Sequence, residues 1–378
     1  MQQSSLGFMV DPLRALLEQW DGCMTALRTG EGKQVVGAVC GFLPMEVLAA
    51  AGTIPVRIPA RILAGAHAVS GACGTEGDAA CVAPGCCDAM VVSASCCRCA
   101  RNSPQDARVI VFESPSGYGE GAAVKLHESL RDCLQRLGCP DAAALDPDAL
   151  AAAVEERNAV RRLVRGICAE RRDRPAALSQ EDLLAIMEYA ACFPPAHAIE
   201  RLSPIRDALN DFPAGNDGAA ALPALVHGGF FFDWRVFDEI EEAGCRVDED
   251  DLCNGRRQFD ISYNAESPHL YAEILDAFSY RPLCPSIRPL GERVDLLYRL
   301  LRTHGIETVV FVGSGCCVAR DRERTGMSRT LMRLGIDPVA AGGEDPAAAT
   351  SYHVKRMRDL PVIECGEAAT GGGEPTTV

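Results

Sequence analysis

Long apolar runs are missing. No stretch of the 378-residue chain approaches the roughly 20 consecutive apolar residues that cross a bilayer, so no membrane association is expected. Positive charge is short as well. Lys and Arg number 37 against 52 Asp and Glu, a net charge of -15, and such a field argues against nonspecific nucleic-acid binding. The opening MQQSSLGFMVDPLRALLEQWDGC has neither a basic start nor a long apolar centre. It reads as a helix rather than an export signal, and a cytoplasmic location follows. No GxxxxGK[ST] phosphate loop occurs, so ATP hydrolysis is not expected of this chain. SGYGEG (116–121) lacks the Lys and the following helix pattern and reads as a loop.

Cysteine, in contrast, is plentiful at 19 residues. A disulfide scaffold would be short and loop-rich, whereas this chain is long and rich in Ala and Leu. A reducing compartment fits better, and cysteine clusters there bind metal or do redox chemistry.

Apolar, β-branched runs ending in Gly, Cys or Ser predict buried parallel strands. They fall at 34–40, 54–58, 88–93 and 107–112, and again at 222–229, 245–251, 307–315 and 336–343. Helical patterns at 44–52, 235–244, 291–305 and 327–335 separate many of them. Strand then helix, repeated, predicts an α/β fold with two flavodoxin- or Rossmann-like parallel-sheet lobes. The lobes are expected at 34–119 and 221–365, after an N-terminal helical segment at 1–33. A helical connector occupies 120–220, with Asp and Ser where helix caps belong. The Gly/Pro/Thr-rich tail at 366–378 reads as disordered.

Ligands of open parallel sheets bind beyond the carboxyl ends of the strands. Cys40, Cys96, Cys97, Cys99, Cys253, Cys316 and Cys317 all follow predicted strands. Cys23, Cys133, Cys168 and Cys192 lie in helical patterns and read as small core hydrophobes. Thiolates from separate loops suit zinc or an iron–sulfur cluster. A second closely spaced pair to match Cys96–Cys99 is absent, which weighs against zinc. Buried or reactive thiols stay open as a further reading.

Four segments together resemble a known family. They are VVGAVCGFLPMEVLAAAGTIPVRI, DAMVVSASCC, EEAGCRVDEDDLCNGRRQF, and CPSIRPLGERVDLLYRLLRTHGIETVVFVGSGCC. In this order they are similar to the 2-hydroxyacyl-CoA dehydratase and benzoyl-CoA reductase family, of the D-component type. The resemblance implies a 4Fe-4S cluster in the cleft between the lobes, held by Cys40, Cys96 and Cys317. It also implies an ATP-dependent iron–sulfur activator protein that donates a low-potential electron, and a homologous second subunit or homodimer. The substrate would be an acyl-CoA or a small molecule, reduced or dehydrated. A branch of the family carries a double-cubane 8Fe-9S cluster, for which Cys73, Cys81 and Cys253 are the counterparts here. Neither Cys73 nor Cys81 is followed by Pro as in that branch. Cys97 and Cys316, the other members of their doublets, stay alternative ligands.

For acid–base or anion-binding roles the candidates are Glu46, at a helix start after Cys40, and Arg256 with Arg257. The plain readings are charge complementation of a helix end for Glu46 and ion pairing for the arginines. Asp250 and Asp251 read as turn caps, and His227 as a satisfied histidine. Two other functions compete: a non-catalytic subunit whose cluster relays electrons, and a structural zinc protein using the same thiols.

Overall fold

The computed structural model describes residues 5–39, 41, 43–62, 83–94, 106–113, 120–215, 221–229, 236–280, 290–312, 318–341 and 354–356. Helices α1 (Asp11–Glu18) and α2 (Trp20–Glu31) open the chain. They bury Leu13, Leu17, Trp20 and Met24. Trp20 Nε1 donates to the Cys192 carbonyl at 2.8 Å, which ties this segment to the middle of the chain.

The first lobe contains β1 (Val35–Ala38), α3 (Met45–Ala50), β2 (Ile54–Arg57), β3 (Ala89–Ser93) and β4 (Val109–Phe112). The strands form one parallel sheet in the order β2-β1-β3-β4. Every residue of β1, β2 and β3 is buried, as continuous apolar runs covered on both faces should be.

Four helices follow: α4 (Glu120–Arg136), α5 (Pro147–Asp173), α6 (Gln180–Cys192) and α7 (Pro195–Asp211). Asp146 caps α5 by accepting from the Asp148 N–H at 3.1 Å. Ser179 and Asp182 form a reciprocal capping box on α6. Each satisfies backbone donors that a helix start otherwise leaves unpaired.

The second lobe contains β5 (Leu222–Gly228), α8 (Val236–Glu242), β6 (Cys245–Asp251), α9 (Leu270–Tyr280), α10 (Leu290–His304), β7 (Thr308–Val312), α11 (Val318–Arg333), β8 (Asp337–Ala341) and β9 (Val354–Arg356). Its sheet runs β6-β5-β7-β8-β9, parallel except for β9, which lies antiparallel to β8. The expected α/β class with two parallel-sheet lobes is the observed one. A register shift between Ala224 and Leu225 places an irregularity in the β5–β6 pairing. Beyond it Glu249, Asp250 and Asp251 are all buried, so the alternation of inward and outward residues breaks at the end of β6.

The helix α5 does more than cover a sheet. Towards its start Arg157 Nη2 donates to the Pro55 carbonyl at 2.8 Å, and Arg161 pairs with Glu46, both in the first lobe. Towards its end Arg172 Nη2 reaches Glu249 at 3.0 Å, and Arg171 donates to the Val247 carbonyl, both in the second. One apolar core is continuous through these helices. It takes Val56 and Met90 from the first sheet, Ile167 and Leu184 from α5 and α6, and Val226 and Val310 from the second sheet.

No described helix is long and apolar enough to cross a membrane.

Candidate functional site

Cys40, Cys96, Cys97, Cys99, Cys316, Cys317, Cys73 and Cys81 lie outside the described residues, as do 116–119 of SGYGEG and the tail; Glu120 and Gly121, expected in a loop, instead open α4. Three of these cysteines follow described strands. Cys40 comes two residues after Ala38 at the end of β1, and Cys96 three residues after Ser93 at the end of β3. The two strands are adjacent and parallel, with Ala38 opposite Val91. Cys317 comes five residues after Val312, the end of β7, and directly precedes α11.

Gly41 locates the first of these positions within the fold. A Cβ on Gly41 would stand 2.9 Å from Arg57 Nη1 and 3.5 Å from Gln258 Cγ. Arg57 ends β2, and Gln258 follows β6 in the other lobe. Arg57 Nη1 donates to Gln258 Oε1 at 2.9 Å, and Arg57 Nη2 to the Val39 carbonyl at 2.9 Å. The chain just after Cys40 therefore touches the contact between lobes.

Cys253 is described and half-buried, and its thiol is free. Its N–H donates to the Gly229 carbonyl at 3.0 Å. Arg257 Nη1 donates to its sulfur at 3.2 Å. Arg257 is held in turn by Asp251, with Nε 2.6 Å from Oδ1, and by the Gly228 carbonyl at 3.1 Å. Gly228 is required here, because a Cβ would meet the Val312 carbonyl oxygen at 2.5 Å. The carboxyl ends of β5, β6 and β7 thus converge on Cys253.

The three acids that end β6 have three different duties. Glu249 collects Arg172 at 3.0 Å, His304 Nε2 at 3.1 Å, and Arg256. Asp250 Oδ1 accepts from the N–H groups of Leu252 and Arg256 at 3.2 and 2.9 Å, the turn cap expected of it. Burial, then the adjacent Glu249 charge, pushes its carboxyl up to about 7. Asp251 Oδ2 bonds His227 Nδ1 at 2.8 Å, and Arg293 lies 3.9 Å away. Burial opposes ionisation of Asp251, but Arg257 and His227 outweigh it and hold the carboxyl well below its usual range. His227 is pushed down, first by burial and further by Arg293 and Arg257, against the pull of Asp251.

Both arginines after Cys253 are engaged in ion pairs, Arg256 with Glu249 and Arg257 with Asp251. Glu46 sits in the first turn of α3, fully buried, on the Arg161 guanidinium. Burial raises its carboxyl, but Arg161 and Arg157 more than offset that and leave it below the usual value. The sequence reading missed Arg57, Arg157, Arg161 and Gln258. The available signal was Arg157 and Arg161 four residues apart on a helix whose apolar spacing turns that face inward.

The remaining described cysteines belong to the cores. Cys133, Cys168 and Cys192 are buried, and Cys23 packs half-buried against the core that holds Cys168 and Cys192. Burial pushes Cys133 and Cys168 up to about 12, so they stay protonated thiols. Cys86 and Cys87 lie before β3, at its amino end, 4% and 1% exposed. The Cys86 thiol donates to Asp21 at 3.3 Å. Five strand residues separate this pair from the carboxyl end of the sheet.

The fold is that of a two-lobed α/β protein, with the end of β1 beside the Arg57–Gln258 contact between lobes. The chain belongs to the 2-hydroxyglutaryl-CoA dehydratase D-component family, whose model matches residues 40–341. The match begins at Cys40 and ends at Ala341, the last residue of β8. No curated protein matches the chain.

As a component of a dehydratase family, the chain is tested against an iron–sulfur group by its donors. Among the described residues no three His, Cys, Asp or Glu side chains are grouped to hold a metal ion. What is present fits thiolate ligation. No disulfide joins the described cysteines, and Cys253 at the strand ends already receives an N–H···S bond of the kind that supports cluster sulfurs.

Proposed function

We propose that this chain is the iron–sulfur component of a dehydratase or reductase. It takes a low-potential electron from a separate ATP-dependent iron–sulfur activator protein, and it works beside a homologous second subunit or a second copy of itself. Its substrate is a 2-hydroxyacyl-CoA or a small molecule. The observation that carries the reading is the family match, which runs from Cys40 to the end of β8. Two features support it. Gly41 packs against the contact between lobes, and Cys253 lies at the convergence of three strand ends.

Cys40, Cys96 and Cys317 would hold a 4Fe-4S cluster, with Cys97 and Cys316 as alternatives. Cys253, with Cys73 and Cys81, would serve a double cubane. When bound, the cluster would supply single-electron reducing power that amino-acid side chains lack. The protein's own share is placement and polarity. Arg257 orients the Cys253 sulfur, Asp251 orients Arg257, and His227 and Arg293 hold Asp251. Arg57 and Gln258 fix the lobes beside position 41. Glu46 and Arg256 are the side chains proposed for acid–base or anion work, and both act from within ion pairs.

Anaerobic reconstitution with iron and sulfide tests the reading. About four iron per chain supports a single cubane and about eight a double one. Zinc without sulfide overturns both. Cys→Ser variants at Cys40, Cys96, Cys97, Cys316 and Cys317 then separate ligands from neighbours by loss of the charge-transfer absorption.

A further inference from the structure

A cavity of about 60 Å³ lies between α3, α5, α6 and the turn after β6. Gly41 lines it, so it begins one residue from Cys40. Its charged walls are three guanidinium groups, Arg57, Arg157 and Arg161, against one carboxylate, Glu46. Leu43, Met45, Phe259 and Phe278 supply apolar walls. The one carboxylate is already committed: Glu46 is bound to Arg161, which also donates to Asn158 Oδ1 at 3.2 Å. Arg57 and Arg157 donate to neutral acceptors, the Val39 carbonyl and Gln258 amide for Arg57 and the Pro55 carbonyl for Arg157. Behind this shell Glu188 interacts with Arg57 and Arg61, so Arg57 has a carboxylate nearby and Arg157 carries the surplus charge. The buried Arg157 Nε has no hydrogen-bond partner among the described residues.

A buried guanidinium N–H without an acceptor is costly, and so is surplus positive charge away from water. An acceptor carrying negative charge relieves both. We infer that this cavity binds a small oxyanion, a carboxylate or a phosphate, against Arg157 and Arg161. Size sets the limit. One water needs roughly 10–15 Å³ of such space, so the cavity takes about four to six heavy atoms and excludes a coenzyme A moiety. Burial, reinforced by the like charge of Arg161, pushes Arg157 down to about 10, which still leaves it cationic at neutral pH. As a substrate pocket beside Cys40 the site rests on the function proposed above. As an anion site it does not.

The test is calorimetric titration of the anaerobically purified full chain with acetate, inorganic phosphate and chloride. Saturable binding of acetate or of phosphate, near one site per chain, is expected, with chloride much weaker. Acetate alone identifies a carboxylate, and phosphate alone a phosphoryl group. Arg157→Gln is expected to weaken binding by about ten-fold or more, the loss of one charge-assisted contact. Arg157→Lys recovers most of it. Glu46→Gln has the opposite sign: removing the competing carboxylate tightens binding by about ten-fold. That arm decides the matter if Arg157→Gln does not fold. No saturable binding of either oxyanion overturns the inference, and so do affinities that the folded variants leave unchanged. Iron and sulfide are counted on the same samples. A cluster-free chain that binds acetate sinks only the cluster reading, whereas an iron-loaded chain that binds neither oxyanion sinks only this one.

Discussion

Replacing Asp251 by Asn probes the polar network behind Cys253. The carboxylate receives Arg257 at 2.6 Å and His227 at 2.8 Å, with Arg293 at 3.9 Å. Asn keeps the volume and one acceptor but removes the charge. Two buried guanidinium groups then face a neutral amide. Breaking a buried ion pair by removing one partner costs about 3–5 kcal/mol. With a urea slope of about 3 kcal/mol/M, the unfolding midpoint falls by roughly 1–1.7 M. The companion variant Arg257→Met removes the cation, and the double variant closes a cycle. Because Arg257 and Asp251 share a bond, the double variant is expected to lose less than the sum of the singles, by about 1–3 kcal/mol. Urea unfolding followed by circular dichroism reads all four states. A loss below about 1 kcal/mol in Asp251→Asn, or additive single losses, refutes the claim that this network is one unit.

Three further outcomes are expected. Gly228→Ala pushes a methyl onto the Val312 carbonyl at 2.5 Å, and a cost of about 1–3 kcal/mol is expected in thermal unfolding because backbone must move. His304 is held down to about 4, first by burial and then by Arg172 and Arg256. The unfolded chain therefore binds this proton at higher pH than the folded one, and stability contributed by His304 rises with pH between about 4 and 6.5. His304→Gln should flatten that slope in urea midpoints taken at several pH values, and an unchanged slope removes His304 as its source. Glu46 is lowered in the folded state. Its contribution is present above the ordinary carboxylate range and lost as pH falls through the folded value. Glu46→Gln should therefore cost most at neutral pH and little in acid, and a loss independent of pH contradicts the ion-pair account.

The eight expected strands correspond to β1 through β8; most carry the apolar run that burial on both faces of a parallel sheet leaves, while β6, CRVDEDD, does not. The missed strand, β9, has three residues in a polar sequence, and pairing with β8 rather than composition makes it a strand. Helix α11 begins at Val318, nine residues before the apolar spacing that revealed it. Its first half, VARDRERTG, is charged and shows no inward stripe. Local roles were legible where chemistry is carried by residue type and position, as with the cap at Asp250. They were illegible where a partner is distant. Glu46 meets Arg161 across 115 positions and Arg57 meets Gln258 across 201. Spacing along the chain carries no record of such pairings, so Glu46 looked like a helix-end charge and Arg57 like the end of a strand.

The 27 residues of α5 give a rod of about 40 Å at 1.5 Å per residue. Its middle is bolted to the first lobe through Arg157 and Arg161, and its last turns to the second through Arg171 and Arg172. Mechanically it is a splint. A clamshell opening of the lobes would have to shear one end free and expose buried cations. Small sliding motions along the rod, which keep both sets of bolts, are the inexpensive ones. Large swings of one lobe against the other are then the costly route to the strand ends.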